Sequence, residues 1–209
     1  MSVLVVGSRN AKKRAEIVAL LHGLDIEVRD LRDFSDVPDI LEDGGSFVAN
    51  CRKKASGYAQ ALGHWVLADD SGLVVPALGG APGVDSALYA GQHGNDEANN
   101  DKLLHEMAGF TGEQRNAYYV CVLALADPSG AILAESQGRC GGRIATQRSG
   151  QGGFGYDPLF IVLEYHRSFG ELSPRVKAAI SHRARALEKI RPQLAKHLAR
   201  PAGATGHGR

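Results

Sequence analysis

The chain has 209 residues, 44% hydrophobic and 22% charged, and its 24 Lys and Arg against 23 Asp and Glu leave a formal net charge of +1. That length buries a core as one domain, or as one domain with two lobes, and the composition is that of a globular protein. A near-zero charge supplies no bulk field toward nucleic acid or a membrane surface, so any anion site must be built locally. No apolar run approaches the ~20 residues that span a bilayer.

Val3-Leu4-Val5-Val6 predicts a short buried strand; without a cationic leader it does not read as a signal peptide. Gly7-Ser8-Arg9-Asn10 breaks it. Asn10 is placed to cap a helix over 11–22 that buries Ile17, Val18, Leu20 and Leu21 and stops at Gly23. Ile26–Val28 is the next strand, so the chain opens strand, loop, helix, strand, which is an α/β beginning. Ser46 caps a second helix, along which Phe47, Cys51, Ala55, Tyr58 and Leu62 recur at helical spacing. Trp65–Ala68 predicts a strand ending at Asp69-Asp70-Ser71-Gly72, with extended chain resuming at Leu73–Val75. Residues 95–107 form a third helix with Leu103, Leu104 and Met107 inward. Residues 117–126 and 131–140 flank Asp127-Pro128-Ser129-Gly130, a type I turn, and make a β-hairpin. Leu159–Val162 is a further strand. A final helical region over 174–199 carries the stripe Ala184, Leu187, Ile190, Leu194 and Leu198, and Pro192 should kink or split it. Residues 1–200 read as a single two-lobed domain, and 201–209, without periodicity, as a disordered tail.

Four stretches carry chemistry. Ser8-x-Asn10-x-x-Lys13 sits where a strand hands over to a helix, a place that favours phosphate, although the P-loop pattern is missing. Glu42-Asp43-Gly44-Gly45-Ser46 offers a hard oxygen ligand in a turn. Asn50 and Lys54 follow it four residues apart, on one helix face at the edge between core and solvent. Asp69-Asp70 places two acids side by side, an arrangement that needs a counter-charge, solvent, or a Mg²⁺ shared with phosphates. Further on, Gly152-Gly153-Phe154-Gly155-Tyr156-Asp157-Pro158 joins close backbone approach to an aromatic face, with Lys177, His182 and Arg183 downstream as donors. Carboxylates, cations and an aromatic shelf together point to a nucleotide site. The three cysteines, Cys51, Cys121 and Cys140, are odd in number and lack CxxC spacing, so they read as buried free thiols of a reducing cytoplasm.

These motifs, in this order, resemble the inosine triphosphate pyrophosphatase family from Val3 to about Leu187. The resemblance also rests on Leu78-Gly79-Gly80-Ala81-Pro82-Gly83 and Glu171-Leu172-Ser173. It implies an elongated two-lobed α/β fold with a central mixed, twisted sheet flanked by helices, a homodimer, and Mg²⁺-dependent cleavage of a purine nucleoside triphosphate between its α- and β-phosphates. It places Asp70 at the catalytic acid, Glu42 with Asp70 at the metal, and Lys13 and Lys54 on the triphosphate. Ser8 and Asn10 fall on the phosphate side. Ser71, Phe154, Gly155, Tyr156, Asp157, Lys177, His182 and Arg183 fall on the nucleoside side. Arg9 stands where many members have glycine, and Leu88 where arginine is frequent.

On this reading Asp70 orients or deprotonates the water, the two lysines hold the triphosphate, and Phe154 stacks on the base. Lys177, His182 and Arg183 donate to the six-oxo oxygen of inosine or xanthosine. Asp69 either binds metal or supports a ligand. A Maf-like pyrophosphatase and a nucleotide-binding module without hydrolysis are the alternatives; a nucleic-acid-binding protein fits least.

Overall fold

The computed structural model describes residues 3–198. Seven strands form one mixed sheet in the order β2-β1-β3-β4-β5-β6-β7. Strand β1 (Val3–Gly7) is parallel to both β2 (Glu27–Asp30) and β3 (Trp65–Val74). From β3 onward each pair is antiparallel: β4 (Asn116–Ala126), β5 (Ile132–Ile144), β6 (Phe160–Val162) and β7 (Arg167–Ser168). Five α-helices accompany them: α1 (Ala11–Leu21), α2 (Phe47–Leu62), α3 (Asp96–Glu106), α4 (Pro174–Ile180) and α5 (His182–Leu198). The mixed α/β sheet expected from the motifs is present. Among the described residues no helix is long and apolar enough to cross a membrane.

Helix α1 links β1 to β2, whereas α2 links β2 to β3 on the other side of β1, so the two crossovers cover opposite faces of the sheet. Strand alternation divides the core accordingly. Leu4, Val6 and Leu67 pack with Ile17 and Leu21 of α1 and Leu187, Ile190 and Leu194 of α5. Val5, Val66 and Ala68 pack with Cys51, Ala55, Tyr58 and Ala59 of α2. A third cluster joins Leu103 and Met107 to Tyr119, Phe160 and Phe169. The reversal of strand order around β1 creates a crevice beyond the carboxyl ends of β1 and β3, the usual ligand position in such sheets.

Four local expectations change. Strand β3 does not stop at Ala68; it continues through Asp69, Asp70 and Ser71, which face Leu123, Val122 and Cys121 of β4. The last helical region breaks at Ser181, whose extended backbone (φ −66, ψ 160) separates α4 from α5, while Pro192 lies within α5 on its exposed side. Val18 is not inward but 42% exposed. The second hairpin strand runs on to Ile144, where it pairs with β6. The tail expected over 201–209 lies outside the described residues.

Candidate active site

The crevice holds two adjoining cavities. The larger, ≈ 330 Å³, is lined by Ser8, Arg9, Asn10, Lys13, Glu42, Lys54 and Asp70 among others. Because β3 alternates, Asp70 falls on the α2 face with Val66 and Ala68, and Asp69 on the α5 face with Leu67. The two carboxyls therefore contact different cations, Lys54 and Arg183, and the stretch where the strand was expected to end is instead buried strand, Asp69 at 1% and Asp70 at 4% exposure.

Lys54 reaches up from α2, buried rather than at the solvent edge. Its Nζ lies 3.1 Å from Asp70 Oδ1 and 2.6 Å from Glu42 Oε2. Burial opposes the ammonium, yet Asp70, Asp69 and Glu42 hold its pKa above the ordinary lysine value. Asp70 responds the other way. Burial is the largest influence, and with Glu42 and Asp69 it outweighs Lys54 and Lys13, so the carboxyl is pushed up to about 6. Its Oδ2 is buried without a hydrogen-bond partner.

Glu42 sits on an irregular strap between Phe34 and Ser46. The glycine after it is required: a Cβ on Gly44 would lie 2.7 Å from that of Ala49, and the Gly44 N–H donates to Asn50 Oδ1 at 2.7 Å. Asn50 thus fastens the strap to α2, and Ser46 caps that helix through the Ala49 N–H. Gly72 has a similar reason, since a Cβ there would meet the Gly83 carbonyl and Ser86 Oγ, each at 2.4 Å.

The smaller cavity, ≈ 70 Å³, is lined by Phe154, Gly155, Lys177, His182, Arg183 and Tyr119. His182 stacks on Tyr119 with ring centroids 4.7 Å apart and planes 12° from parallel. Burial above all, then Arg183 and Lys177, lowers the His182 pKa well below its usual value, so the ring is neutral at pH 7. Its Nδ1 is buried and unpartnered. Lys177 Nζ lies 4.5 Å from the Phe154 ring centroid. Asn10, Lys13, Ser71 and Ala87 line both cavities, which makes them one cleft with a carboxylate–lysine end and an aromatic–imidazole end.

Every residue singled out from sequence comes to this cleft or its wall, but several act there as structure. Asn10 Oδ1 accepts from the Lys12 and Lys13 N–H groups, so two helix-terminal donors expected to face phosphate are already satisfied. Lys13 Nζ donates to the Ser71 carbonyl at 3.2 Å. Asp157 is 2% exposed and accepts from the Phe154 N–H at 2.8 Å and Lys177 Nζ at 2.5 Å; it shapes the glycine turn. Tyr156 donates its hydroxyl to the Ser86 carbonyl. Arg183, 1% exposed, binds Asp69 through Nε and Nη2, Ser71 Oγ through Nη2, and Glu16 through Nη1. Four of a guanidinium's five N–H groups are thereby committed, leaving one on Nη1. Asp69 belongs to this pairing. Burial works against its charge, but Lys13, Arg183, Lys54 and the Ser71 hydroxyl hold it well below the usual carboxylate range.

Sequence reasoning missed Glu16, whose Oε1 lies 2.8 Å from Lys177 Nζ while Oε2 meets Arg183. Three residues after Lys13 it looks like an ordinary solvated helix position. Asp96 and Asn100 of α3 were missed too; they hold Gly155 by its N–H and its carbonyl, each at 2.9 Å. Among the described residues no three His, Cys, Asp or Glu side chains gather into a protein-only metal cage. All three cysteines are buried and free, and burial raises each thiol, so they carry no thiolate chemistry.

Fold and cleft together define a mixed-sheet α/β protein whose site suits an anionic, ring-bearing ligand. The chain belongs to the Ham1 family, whose model matches residues 4–193. A dITP/XTP pyrophosphatase of Rhodopirellula baltica is 52% identical over 191 residues, 91% of this chain and 92% of that protein. One of Geobacter sulfurreducens is 47% identical over 93% of this chain and 97% of its own length. Among solved structures, a HAM1 protein from Coxiella burnetii superposes with a TM-score of 0.84 at 41% identity, covering 94% of this chain and all of the other. The resemblance read from the motifs is borne out.

Proposed function

We propose that this protein hydrolyses deaminated purine nucleoside triphosphates (ITP, dITP and XTP) to the monophosphate and pyrophosphate, keeping them out of DNA and RNA. The observation that carries this reading is the continuity of the cleft: a phosphate-sized basic and acidic end joined through Asn10, Lys13 and Ser71 to an aromatic end. The relatives named dITP/XTP pyrophosphatase support it.

Phosphoanhydride cleavage needs charge neutralisation and an aligned water. Asp70 is the base: a carboxylate poised near 6 is ionised at neutral pH yet basic enough to take a proton from water. Lys13 and Lys54 neutralise the triphosphate and the departing pyrophosphate. Glu42 and Asp70 would hold a Mg²⁺ ion: both are hard oxygen donors lining one cavity, and Asp70 has an unpartnered buried oxygen. Bound there, Mg²⁺ supplies charge stabilisation on the phosphate oxygens.

At the other end Phe154 stacks on the base. Neutral His182, Lys177 and the remaining Arg183 N–H donate toward a six-oxo group; an adenine amine there would leave buried donors unpaired, at about 1–3 kcal/mol each. A homodimer and a cytoplasmic location complete the reading, the first open to a test by light scattering. The deciding experiment is pyrophosphate release with Mg²⁺ from ITP, XTP, GTP, ATP and a pyrimidine triphosphate at equal concentration. Fast release from ITP and XTP alone is expected; binding without release would leave a nucleotide-binding module.

A further inference from the structure

Arg9 is the one residue of the Ser8–Asn10 loop to which the reading above gives no task. Its Nη2 donates to the carbonyls of Val37 and Pro38 at 2.9 and 3.1 Å and lies 2.9 Å from Asp39 Oδ1. These three acceptors belong to the strap that carries Glu42. Between residues 34 and 45 that strap makes no backbone–backbone hydrogen bond among the described residues, so Arg9 is one of its few polar tethers. Nε and Nη1 have no hydrogen-bond partner among the described residues, although Arg9 lines the same cavity as Lys13, Lys54 and Asp70. Its ion pair is weakly held, the side chains being 53% and 86% exposed for Arg9 and Asp39.

We propose that Arg9 is a further phosphate-binding cation, which keeps Nη2 on the strap and presents its free Nε and Nη1 N–H groups to the outer phosphates of the substrate. Asn10 and Lys13 line both cavities, where the phosphate end of the cleft joins the nucleoside end. Arg9 lines only the larger one and meets the far end. A guanidinium anchored at one nitrogen presents the others as a fixed fork, the geometry that matches phosphate oxygens. Ligand binding then also fastens the strap bearing Glu42. This rests on the nucleotide reading of the cleft, but its test does not require turnover.

The test is calorimetric titration of the full chain, in Mg²⁺ buffer, with inorganic tripolyphosphate and separately with IMP. Arg9→Ala should weaken tripolyphosphate by about tenfold, the usual scale of one charge-assisted contact, and leave IMP within about twofold. Asp39→Asn, which removes the competing carboxylate, should tighten tripolyphosphate by about twofold to threefold. Unchanged tripolyphosphate binding in Arg9→Ala would overturn the proposal, as would equal losses for both ligands or weaker binding in Asp39→Asn. If the wild-type protein releases no pyrophosphate yet these shifts appear, the substrate reading fails and the role of Arg9 stands.

Discussion

Lys54 Nζ lies within hydrogen-bonding distance of two carboxylates from different elements, Asp70 of β3 and Glu42 of the strap. One ammonium thus restrains two acids that would otherwise repel across the larger cavity, and it does not fully offset the burial of Asp70. The folded protein holds that carboxyl at about 6, against an ordinary 3.8. A raised acid favours the folded state when protonated, so its penalty is absent below about pH 4 and complete above about pH 6. Asp70→Asn should therefore abolish pyrophosphate release and yet stabilise the fold by about 1–3 kcal/mol at pH 8. The gain in Tm should be gone at pH 4. Thermal melts across that range check it; a variant that is inactive and also less stable at pH 8 would contradict the account of Asp70.

Asp69 carries the opposite sign. Its carboxyl is depressed by Lys13, Arg183 and Lys54 in spite of burial. It therefore contributes stability that is present above the unfolded value near 3.8 and lost as pH falls below it. Asp69→Asn leaves Arg183 with Glu16 as its one carboxylate partner among the described residues and should cost about 3–5 kcal/mol at pH 7. Urea unfolding of both proteins from pH 7 down to pH 3 should show the difference shrinking only at the acid end.

Much of this was legible in the chain. The helix caps Asn10 and Ser46, the α2 stripe and the β4–β5 hairpin are local signals, and local physics decides them. Two acids in a row argue against a strand, so β3 was cut short. Their partners, Lys54 and Arg183, come from helices 16 and 114 residues away, beyond any window of sequence. The break before α5 was misplaced for a related reason. Proline is the stronger local signal, but Pro192 faces outward, whereas Ser181 Oγ accepts from the Ala184 N–H and starts a new helix. At the site, residue types marked the cleft correctly, but not which of them touch the ligand and which, like Asp157 and Tyr156, are spent on holding its walls.

Glu16 joins the two cations of the aromatic end, and its side chain is 27% exposed. Neutralising it should disturb their placement more than the fold. Glu16→Gln is expected to raise KM for ITP about 5–20-fold, or about 1–2 kcal/mol of binding, with kcat within about threefold and Tm nearly unchanged. An unaltered KM would mean that Lys177 and Arg183 are held well enough by Asp157 and Asp69 alone.

Gly153 tests the glycine turn itself. Its φ is +75, and a Cβ would lie 1.9 Å from Asp157 Oδ2, the atom that accepts from both the Phe154 N–H and Lys177. Backbone strain and a displaced carboxylate should act together in Gly153→Ala. The variant should lose about 1–3 kcal/mol of stability and bind IMP more weakly, because the Phe154 shelf moves with its tether. Gly141→Ala is the control: nothing lies within 4 Å of a Cβ there, so its stability should stay within about 0.5 kcal/mol of the parent. If the two variants melt alike and bind IMP alike, the turn does not depend on the Asp157 clamp, and Phe154 must be positioned by the grip of Asp96 and Asn100 on Gly155.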